Sequence, residues 1–510
     1  MTGPGAITYQ LPGRPASYWI ESTGDSRYPR MPTDVNVDVA ILGGGIVGIT
    51  AAVLLKAAGL TVAMVEADRI ARDVTGHTTA KITSLHRLCY HTLTGSFGRD
   101  GARRYGEANQ AAIETIASVI ASRGIACDFV RKPAYTYAEA GSTADAVKAE
   151  AAAARDLGLP ASFVQDVPLP FTTAGAVRFD NQAQFHPRKY LCALARDIPG
   201  DGSAIYEETR AMQIKEGEPV VVETDRGPLK ARDVIIATHF PFYDHPGLYF
   251  ARMHPSRSYA LGIRISEPFP EGMFINAEGP ARSLRSQPTG GGELVIVGGD
   301  GHKTGQGGPT TLHYKHLEEF ARSVFDVSSI DYRWSTQDNI TVDGVPYIGR
   351  LTNDRHHVYV ATGFGKWGMT GGTAAATILT DLILERRNPY AEVFDPSRFK
   401  PVASAKDFVL QNVNVAGELV SGYLVGRPKD PSALAPDDGA ILDIQGKKVA
   451  AYRDGGGTLH LLDPACRHMG CVVTWNDAEK TWDCPCHGSR YSAEGRVIHG
   501  PAVRGLSKKK

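Results

Sequence analysis

Two short segments that carry cysteine and histidine lie near the C-terminal end of the chain. The first contains Cys466 and His468, and the second contains Cys484 and His487. One thiolate and one imidazole at each of two loop tips could hold a cluster of two irons and two sulfides. The two thiolates would bind one iron and the two imidazoles the other. Neutral ligands on one iron raise the reduction potential, to roughly −150 to +300 mV for clusters ligated in this way.

Zinc is the main alternative for these four side chains. Zinc motifs usually pair like with like, as C-x2-4-C followed by H-x3-5-H, whereas each segment here supplies one ligand of each type. Two unrelated cysteine-rich turns are the other alternative. Gly470 and Gly488 favour tight loops whose backbone N–H groups can approach the sulfides of a cluster. The iron–sulfur interpretation is therefore preferred.

The two segments read CRHMGC from residue 466 and CPCHGS from residue 484. They resemble Rieske proteins, in particular the disulfide-bearing type found in respiratory cytochrome bc complexes. The resemblance implies a small all-β domain, which we expect at residues 426–510. It also implies a disulfide bond between Cys471 and Cys486 that ties the two loops together over the cluster. A shielded disulfide of this kind need not equilibrate with cytoplasmic glutathione.

A glycine pattern near the N-terminal end indicates a dinucleotide site. A β-branched run over residues 38–42 precedes Gly43, Gly45 and Gly48, and an apolar helical stretch follows. Glu66 then ends the next strand, at the spacing of about 20 residues that is typical of this fingerprint. Gly43 permits the turn, Gly45 lets the backbone approach a pyrophosphate, and Gly48 allows close helix–strand packing. The helix N-terminus would bind the pyrophosphate, and Glu66 would bind a ribose hydroxyl.

Two further segments are rich in glycine, threonine and other small residues, at 73–83 and at 358–370. They resemble the flavin-lining loop and the C-terminal flavin motif of the D-amino-acid oxidase and glycine oxidase superfamily of FAD enzymes. The resemblance covers about residues 36–390 and implies that the dinucleotide is FAD. Besides the fingerprint residues, it implies that FAD is contacted by Thr78, Thr79, Lys81, Thr238, Gly363, Gly365, Trp367, Gly368, Met369 and Thr370.

Lys81 and Lys366 are the candidate catalytic residues. A helix expected over residues 371–384 would direct its N-terminus at the flavin and stabilise the anionic reduced form, and either lysine could add a positive charge there. The alternatives are that Lys81 caps the following helix, and that Trp367 and Met369 are core residues.

A glycine-rich stretch over residues 298–301 has no apolar helix after it. We therefore expect a loop near the active site rather than a second nucleotide loop. His302 and Lys303, which follow it, are candidate substrate anchors together with Lys81. The lack of a second true fingerprint argues against a pyridine-nucleotide reductase with two such domains.

These patterns predict an α/β chain with a Rossmann-like FAD-binding domain, an antiparallel-sheet substrate domain and a small all-β C-terminal Rieske domain. We expect an extended N-terminal lead-in at residues 1–35 and the FAD-dependent oxidoreductase part at 36–390. A linker is expected at 391–425, and the Rieske domain at 426–510.

Composition excludes several kinds of partner. The chain has 510 residues, with 55 Lys and Arg against 55 Asp and Glu, so its net charge favours neither nucleic acid nor a membrane surface. The first 35 residues lack a secretory signal pattern. Cys89, Cys127 and Cys192 are scattered and are expected to be buried apolar residues. We therefore expect a cytoplasmic protein with no membrane span.

Two cofactors that transfer different numbers of electrons suggest the kind of reaction. A flavin accepts a hydride and can release its electrons singly, and a Rieske cluster carries one electron. The leading hypothesis is a flavin-dependent dehydrogenase that oxidises an amine or amino acid, with an acceptor protein or a quinone taking electrons from the cluster. The alternative is an electron-transfer or redox-sensing protein without its own substrate. A Rieske oxygenase would need a mononuclear iron held by two His and a carboxylate, and no such set is evident in the sequence outside the Rieske segment.

Overall fold

The computed structural model describes residues 9–398, 400–424 and 430–509. Its α-helices are α1 (Tyr18–Glu21), α2 (Ile46–Ala57), α3 (Tyr90–Arg123), α4 (Gly141–Asp156), α5 (Pro187–Ala195), α6 (Tyr249–Arg252), α7 (Thr311–Val324), α8 (Gly368–Ile383), α9 (Ala391–Phe394) and α10 (Pro401–Leu424). Its strands are β1 (Arg14–Pro15), β2 (Val35–Leu42), β3 (Val62–Val65), β4 (Lys81–Ile82), β5 (Val130–Tyr137), β6 (Ala161–Val164), β7 (Ala176–Gln184), β8 (Ala204–Tyr206), β9 (Ala211–Lys215), β10 (Val220–Thr224), β11 (Gly227–Ile236), β12 (Met253–Ile265), β13 (Met273–Asn276), β14 (Arg282–Thr289), β15 (Gly292–Lys303), β16 (Val327–Thr341), β17 (Tyr347–Arg350), β18 (Val358–Thr362), β19 (Asp438–Ile444), β20 (Lys447–Arg453), β21 (Leu459–Leu462), β22 (Thr474–Asn476), β23 (Thr481–Asp483), β24 (Arg490–Ser492) and β25 (Val497–His499).

The nucleotide-binding part is built around β2. Residues 39–42 of this strand are fully buried, as expected for a central parallel strand that is covered on both faces. The sheet order is β17-β18-β11-β2-β3-β8, and the five strands from β18 to β8 run parallel. Helix α2 connects β2 to β3 and packs against α8. This topology is Rossmann-like, as the sequence predicts.

A larger mixed sheet stands beside the parallel one. Its order is β1-β16-β12-β15-β14-β13-β5-β7-β4, with β6 paired to β7. Strands β16, β12, β15 and β14 pair antiparallel. Residues 298–301 therefore do not form the loop that the sequence predicts, because they lie in β15. Gly298 pairs with Ala260 on one side and with Ser283 on the other, so both edges of this backbone are used.

The C-terminal domain is all-β within its described residues. Strands β19, β20 and β21 form one antiparallel sheet, and β22 to β25 form a second one. The loops that carry the cysteine and histidine motifs flank β22 and β23. Trp482 on β23 is fully buried and gives this small domain a core. The predicted all-β class is confirmed here.

The N-terminal segment and the expected linker are more structured than the sequence suggests. In the N-terminal segment, Tyr18, Trp19 and Met31 are buried, and Trp19 donates its Nε1–H to Thr78 O at 2.6 Å. The connection before the C-terminal domain contains α9 and α10, and Tyr423 of α10 donates its hydroxyl to Gly470 O at 2.8 Å. In the part of the chain that the structure describes, no helix has the length and apolar character to cross a bilayer.

Candidate cofactor and substrate sites

A cavity of about 1060 Å³ opens between the parallel sheet and the mixed sheet. The parallel sheet contributes the glycine loop at residues 43–45, Glu66 and the end of β11. The mixed sheet contributes alternate residues of β16, and the C-terminal domain contributes residues 496–503 as a third wall. The volume is at the upper end of the range for small-molecule sites, which suits an extended cofactor with a substrate beside it.

The glycine loop fits the backbone cradle of a dinucleotide. Gly43 has a φ of +110°, and a Cβ there would lie 2.5 Å from Ala237 O. A Cβ at Gly48 would lie 2.0 Å from Gly43 O, so α2 can approach the loop only without a side chain at that position. Gly45 is the N-cap of α2 and provides no side-chain cap. The Ile46 N–H makes only a long bond of 3.4 Å to Thr75 Oγ1, so this end of the helix can still receive an anion in the cavity.

Glu66 lies at the end of β3 and lines the cavity. One of its carboxylate oxygens accepts the Gly44 N–H at 2.8 Å, and the other accepts the Asp68 N–H at 2.9 Å. Burial raises the pKa of Glu66, although both backbone bonds oppose the shift. The carboxylate thus stabilises the glycine loop, and each oxygen keeps a lone pair with which a ribose hydroxyl could bond.

Most of the residues predicted to contact the flavin line this cavity. They are Thr78, Thr79, Lys81, Thr238, Gly365, Trp367, Gly368 and Met369. Gly363 and Thr370 lie behind the wall instead. A Cβ at Gly363 would lie 2.3 Å from Thr341 Cγ2, and the Thr370 hydroxyl donates to Thr83 O at 3.1 Å. These two residues position the start of α8 rather than facing the cavity.

Both candidate catalytic lysines are cavity residues, and the structure adds an acid. Lys81 Nζ donates to Phe274 O at 2.5 Å and to Ser283 Oγ at 2.7 Å, and burial lowers its pKa well below the ordinary lysine value. Burial also lowers the pKa of Lys366, an effect that Asp338 opposes. Burial raises the pKa of Asp338, with Lys366 opposing that shift in turn. Asp338 is buried, whereas Lys366 is open to solvent in the cavity, and the two groups influence each other's charge across it.

No sequence motif marks Asp338. The signal that could have found it is the period of two in β16, since Trp334, Thr336, Asp338 and Ile340 all line the cavity. Alternate residues of a strand share one face. Arg87 is a second cavity residue that went unnoticed, and its guanidinium donates to Ala277 O and Glu278 O at 2.8 and 2.9 Å.

His302 and Lys303 are not among the residues that line the cavity. The His302 ring stacks on His313, with ring centroids 4.2 Å apart, and its Nε2 lies 2.9 Å from the Tyr259 hydroxyl. Lys303 Nζ donates to Gln411 and Asn414 of α10, at 2.7 and 2.5 Å. Both side chains therefore serve packing and helix docking in this structure, and the cavity does not support their expected role as substrate anchors.

The cysteine and histidine loops of the C-terminal domain come together as predicted. Cys471 and Cys486 form a disulfide bond. Cys466 and Cys484 are buried side by side, and a hydrogen bond with Cys484 lowers the pKa of the Cys466 thiol. This arrangement joins the two loops and holds two free thiols between them.

The two histidines complete a donor set for a metal cluster. The rings of His468 and His487 lie with their centroids 4.9 Å apart. Their Nδ1 atoms are buried and have no hydrogen-bond partner in the part of the chain that the structure describes. Buried polar atoms almost always have partners, so two orphaned imidazole nitrogens beside two thiols need a ligand. A 2Fe–2S cluster satisfies all four groups.

The hydroxyl of Tyr491 lies against the same thiols. It is 3.1 Å from Cys466 Sγ, and it accepts the Arg467 N–H at 3.0 Å. Because its lone pairs serve that N–H, its own O–H is free to donate to the sulfur. Such outer contacts tune the electronic properties of a metal site.

The loop at residues 484–489 and the end of the strand before it lie against the odd-numbered face of β16. Gln337 Nε2 donates to Gly488 O at 3.0 Å. Arg257 donates to Ser335 Oγ at 2.8 Å and lies 3.5 Å from Asp483 of the C-terminal domain. At the cavity wall, His499 Nδ1 donates to the Asp73 carboxylate at 2.6 Å. One strand therefore separates the cavity from the loop that carries Cys484 and His487.

The structure also brings two histidines and a carboxylate together, a set that the sequence does not reveal. His313 Nδ1 and His316 Nδ1 donate to Asp300 Oδ2 at 2.7 and 3.0 Å. Arg282 binds the other carboxylate oxygen at 2.9 Å. The expectation that no set of two histidines and a carboxylate exists outside the Rieske segment is therefore wrong, because the fold brings these three side chains together. Hydrogen bonds and the Arg282 cation already satisfy the Asp300 carboxylate.

Two family models match different parts of the chain. A family model described as FAD dependent oxidoreductase matches residues 38–382, and one described as Rieske [2Fe-2S] domain matches residues 425–509. The chain is 42% identical over 493 residues to the putative Rieske 2Fe-2S iron-sulfur protein YhfW of Bacillus subtilis (strain 168), which covers 96% of this chain and 97% of that protein.

More distant relatives match single parts of the chain. The cytochrome b6-f complex iron-sulfur subunit of Synechococcus sp. (strain JA-2-3B'a(2-13)) is 37% identical over 108 residues, which are 20% of this chain and 63% of that subunit. The solved structure of glycine oxidase from Geobacillus kaustophilus superposes with a TM-score of 0.61 at 18% identity, covering 72% of this chain and 100% of that one. The latter likeness shows a shared fold.

Both resemblances drawn from the sequence motifs are thereby confirmed, as are the two cofactors, FAD and a 2Fe–2S cluster. The glycine loop with the N-terminus of α2 fits the first cofactor, and the paired thiols and orphaned imidazoles fit the second. The chain is an enzyme of the FAD-dependent oxidoreductase family that carries a C-terminal Rieske [2Fe-2S] domain.

Proposed function

We propose that this enzyme is a dehydrogenase that oxidises an amine or an amino-acid-like substrate at FAD and passes the electrons out through its Rieske cluster. The observation that carries the proposal is the shared cavity. Its walls come from the nucleotide loop, from a charged stretch of the mixed sheet and from the domain that bears the cluster donors. A relay protein without a substrate would have no use for a buried aspartate and a lysine that both line this cavity.

The residues that would hold the cofactors follow from the geometry. Gly43, Gly45 and Glu66 would hold the FAD pyrophosphate and ribose. Cys466, Cys484, His468 and His487 would bind the two irons. When bound, the flavin supplies two-electron oxidation with single-electron release, and the cluster supplies one-electron transport.

The buried Asp338 with Lys366 nearby in the cavity suits a substrate that carries an amine group. Asp338 would accept hydrogen bonds from the substrate nitrogen, and Lys366 or Arg87 would bind a substrate carboxylate. Burial strengthens both contacts because the local dielectric is low. Trp367, Gly368 and Met369 at the start of α8 also line the cavity. The positive end of this helix would stabilise negative charge that develops there.

The Asp338→Asn substitution is expected to lower kcat/KM for the substrate by roughly 100-fold, as for loss of a charge-assisted hydrogen bond of about 3 kcal/mol. The anchor must be deprotonated, so wild-type activity is lost as pH falls through the pKa of Asp338. Burial raises that pKa. The acid limb of the pH–rate profile, where activity falls, therefore lies at a higher pH than an ordinary aspartate would give. The variant should lack this limb in a pH–rate profile.

Asp331→Asn is the matched control for this measurement. Asp331 lies on the same strand but pairs with Arg264 outside the cavity. It should leave kcat/KM and the acid limb unchanged. An Asp338→Asn enzyme with the wild-type profile would exclude Asp338 as the anchor.

Anaerobic photometry tests the proposed substrate class. A panel of primary and secondary amines and of amino acids is mixed with the purified holoenzyme, and flavin absorbance is followed. Bleaching by members of the panel, but not by the matching alcohols or hydroxy acids, is expected. A flavin that no small molecule bleaches, but that a partner protein reduces, would support the relay function instead.

The Tyr491→Phe substitution is expected to lower the reduction potential of the cluster. A donor to a ligand sulfur stabilises the more negative reduced state, so its loss favours the oxidised one. A hydrogen bond worth about 1 to 2 kcal/mol corresponds to roughly 40 to 90 mV for a one-electron couple. Redox titration monitored by EPR measures the shift. Tyr452→Phe, which removes a hydroxyl that contacts Asp437 in the same domain, should leave the potential unchanged.

A further inference from the structure

The imidazole of His468 meets a carboxylate from the FAD-binding part of the chain. Asp244 Oδ2 lies 2.9 Å from His468 Nε2. The Asp244 side chain is only 1% exposed and that of His468 only 7%. The two residues are 224 positions apart in the sequence. The contact is therefore made by docking of the C-terminal domain, and water has little access to it.

This contact fixes the tautomer of the ring. A carboxylate can only accept, so Nε2 must carry the hydrogen and Nδ1 must present its lone pair. His468 Nδ1 is the buried atom that lacks a hydrogen-bond partner among the described residues. Asp244 Oδ1 likewise has none, and the nearby ring of His245, whose Nε2 lies 4.0 Å away, is largely exposed. The carboxylate is thus directed at the cluster histidine.

The segment that carries Asp244 also reaches the cavity. It follows β11, and residues 237–240 and Phe242 line the cavity wall. Phe240 lies with its ring centroid 6.4 Å from that of His468, and Phe250 lies 6.0 Å from His487. The Tyr249 hydroxyl ties the segment to Leu351 O at 2.8 Å. The imidazole edge of the cluster site is thereby seated in a pocket of the FAD-binding part.

We propose that Asp244 is a positioning residue for the Rieske cluster. It holds His468 by Nε2–H with Nδ1 directed to iron, and its buried negative charge favours the oxidised cluster. Because this bond occupies His468 Nε2, no external quinone or protein can bond to that atom. The Nε2 edge of the imidazole faces the FAD-binding part of the same chain. The inference concerns the cluster alone and holds whatever the substrate is.

The Asp244→Asn holoenzyme tests this inference. Asparagine keeps the size and one acceptor oxygen but removes the charge. Its cluster should be easier to reduce, with at least a tenfold shift in the redox equilibrium against a mediator dye, which is about 59 mV for one electron. Chemical reduction with EPR detection makes the measurement independent of substrate, so it stands even if the amine hypothesis fails.

Asp233→Asn is the matched control, because Asp233 makes a contact of the same 2.9 Å length with His357, outside the cluster site. The reduction potential of the cluster in Asp233→Asn should equal that of the wild type. An Asp244→Asn potential equal to the wild type would overturn the inference. If Asp244→Asn binds FAD but loses its cluster, the Asp244→Glu variant tests the positioning role instead. Recovery of the cluster at a near wild-type potential would support the positioning role, and a cluster-free Asp244→Glu enzyme with normal FAD content would refute it.

Discussion

The Cys484→Ala enzyme is expected to lose its 2Fe–2S cluster, keep its FAD and deliver electrons from substrate to a one-electron acceptor at least about 100-fold more slowly. Removal of an outer-shell partner alone typically costs 10–100-fold at a metal site, and loss of a thiolate ligand costs more. Cys484 is buried beside Cys466 and is not among the residues that line the cavity. Flavin reduction by substrate should therefore persist while onward transfer fails.

Iron analysis, flavin content and acceptor-linked turnover measure the three parts of this expectation. Cys192→Ala is the control, because Cys192 is a half-buried thiol on α5, far from the cluster loops in sequence. It should retain iron and turnover. A cluster-free Cys484→Ala enzyme that reduces the acceptor at the wild-type rate would show that electrons leave directly from the flavin.

The Gly48→Ala enzyme is expected to bind FAD at least about 100-fold more weakly, which corresponds to a loss of roughly 2.7 kcal/mol. The new Cβ would lie 2.0 Å from Gly43 O, a distance that no real contact allows. Either α2 moves away from β2 or the loop shifts, and in both cases the pyrophosphate loses its aligned N–H groups. Fluorescence titration of the apoprotein with FAD gives the dissociation constant.

Gly95→Ala is the control for this substitution. Gly95 lies in α3, a Cβ added there would meet no atom within 4 Å, and its φ is not positive. Alanine there should leave FAD affinity unchanged and, as a better helix former, should not lower stability. If Gly48→Ala bound FAD as tightly as Gly95→Ala does, the fingerprint would not be the site of the pyrophosphate.

The cofactor motifs could be predicted from the sequence because their chemistry is local. Gly43, Gly45 and Gly48 act within one turn between a strand and a helix, and each cysteine and histidine pair lies within one short loop. The backbone demands of such turns are met by few residue types, so residue identity carries the information. Cofactor identity then followed from two family resemblances.

The charged pair and the docking contacts could not be read in the same way. Asp338 reaches the cavity only because β16 pairs with β12 in the observed register, and a shift of one residue would turn it to the other face. Asp244 meets His468 across 224 residues. The expectation that His302 and Lys303 bind substrate is not supported for the same reason. Both residues end β15, a central strand, and Lys303 contacts α10 instead of the cavity.

Strand β16 explains how one chain can join the two cofactors. Thr336, Asp338 and Ile340 line the cavity, whereas Gln337 binds the loop that carries His487. A substrate in the cavity and a cluster in the C-terminal domain would therefore lie on opposite faces of one strand. Docking through Asp244 and His499 would let electrons pass between the two sites within one molecule, as the proposed function requires.

Freeze-quench EPR on the anaerobic holoenzyme tests this account most directly. The flavin is reduced by light, and cluster and flavin signals are followed in time at two protein concentrations. We expect the reduced cluster signal to grow as the flavin signal changes, with a rate constant that does not depend on protein concentration. A cluster that stays oxidised beside a reduced flavin, or a rate that scales with concentration, would contradict it.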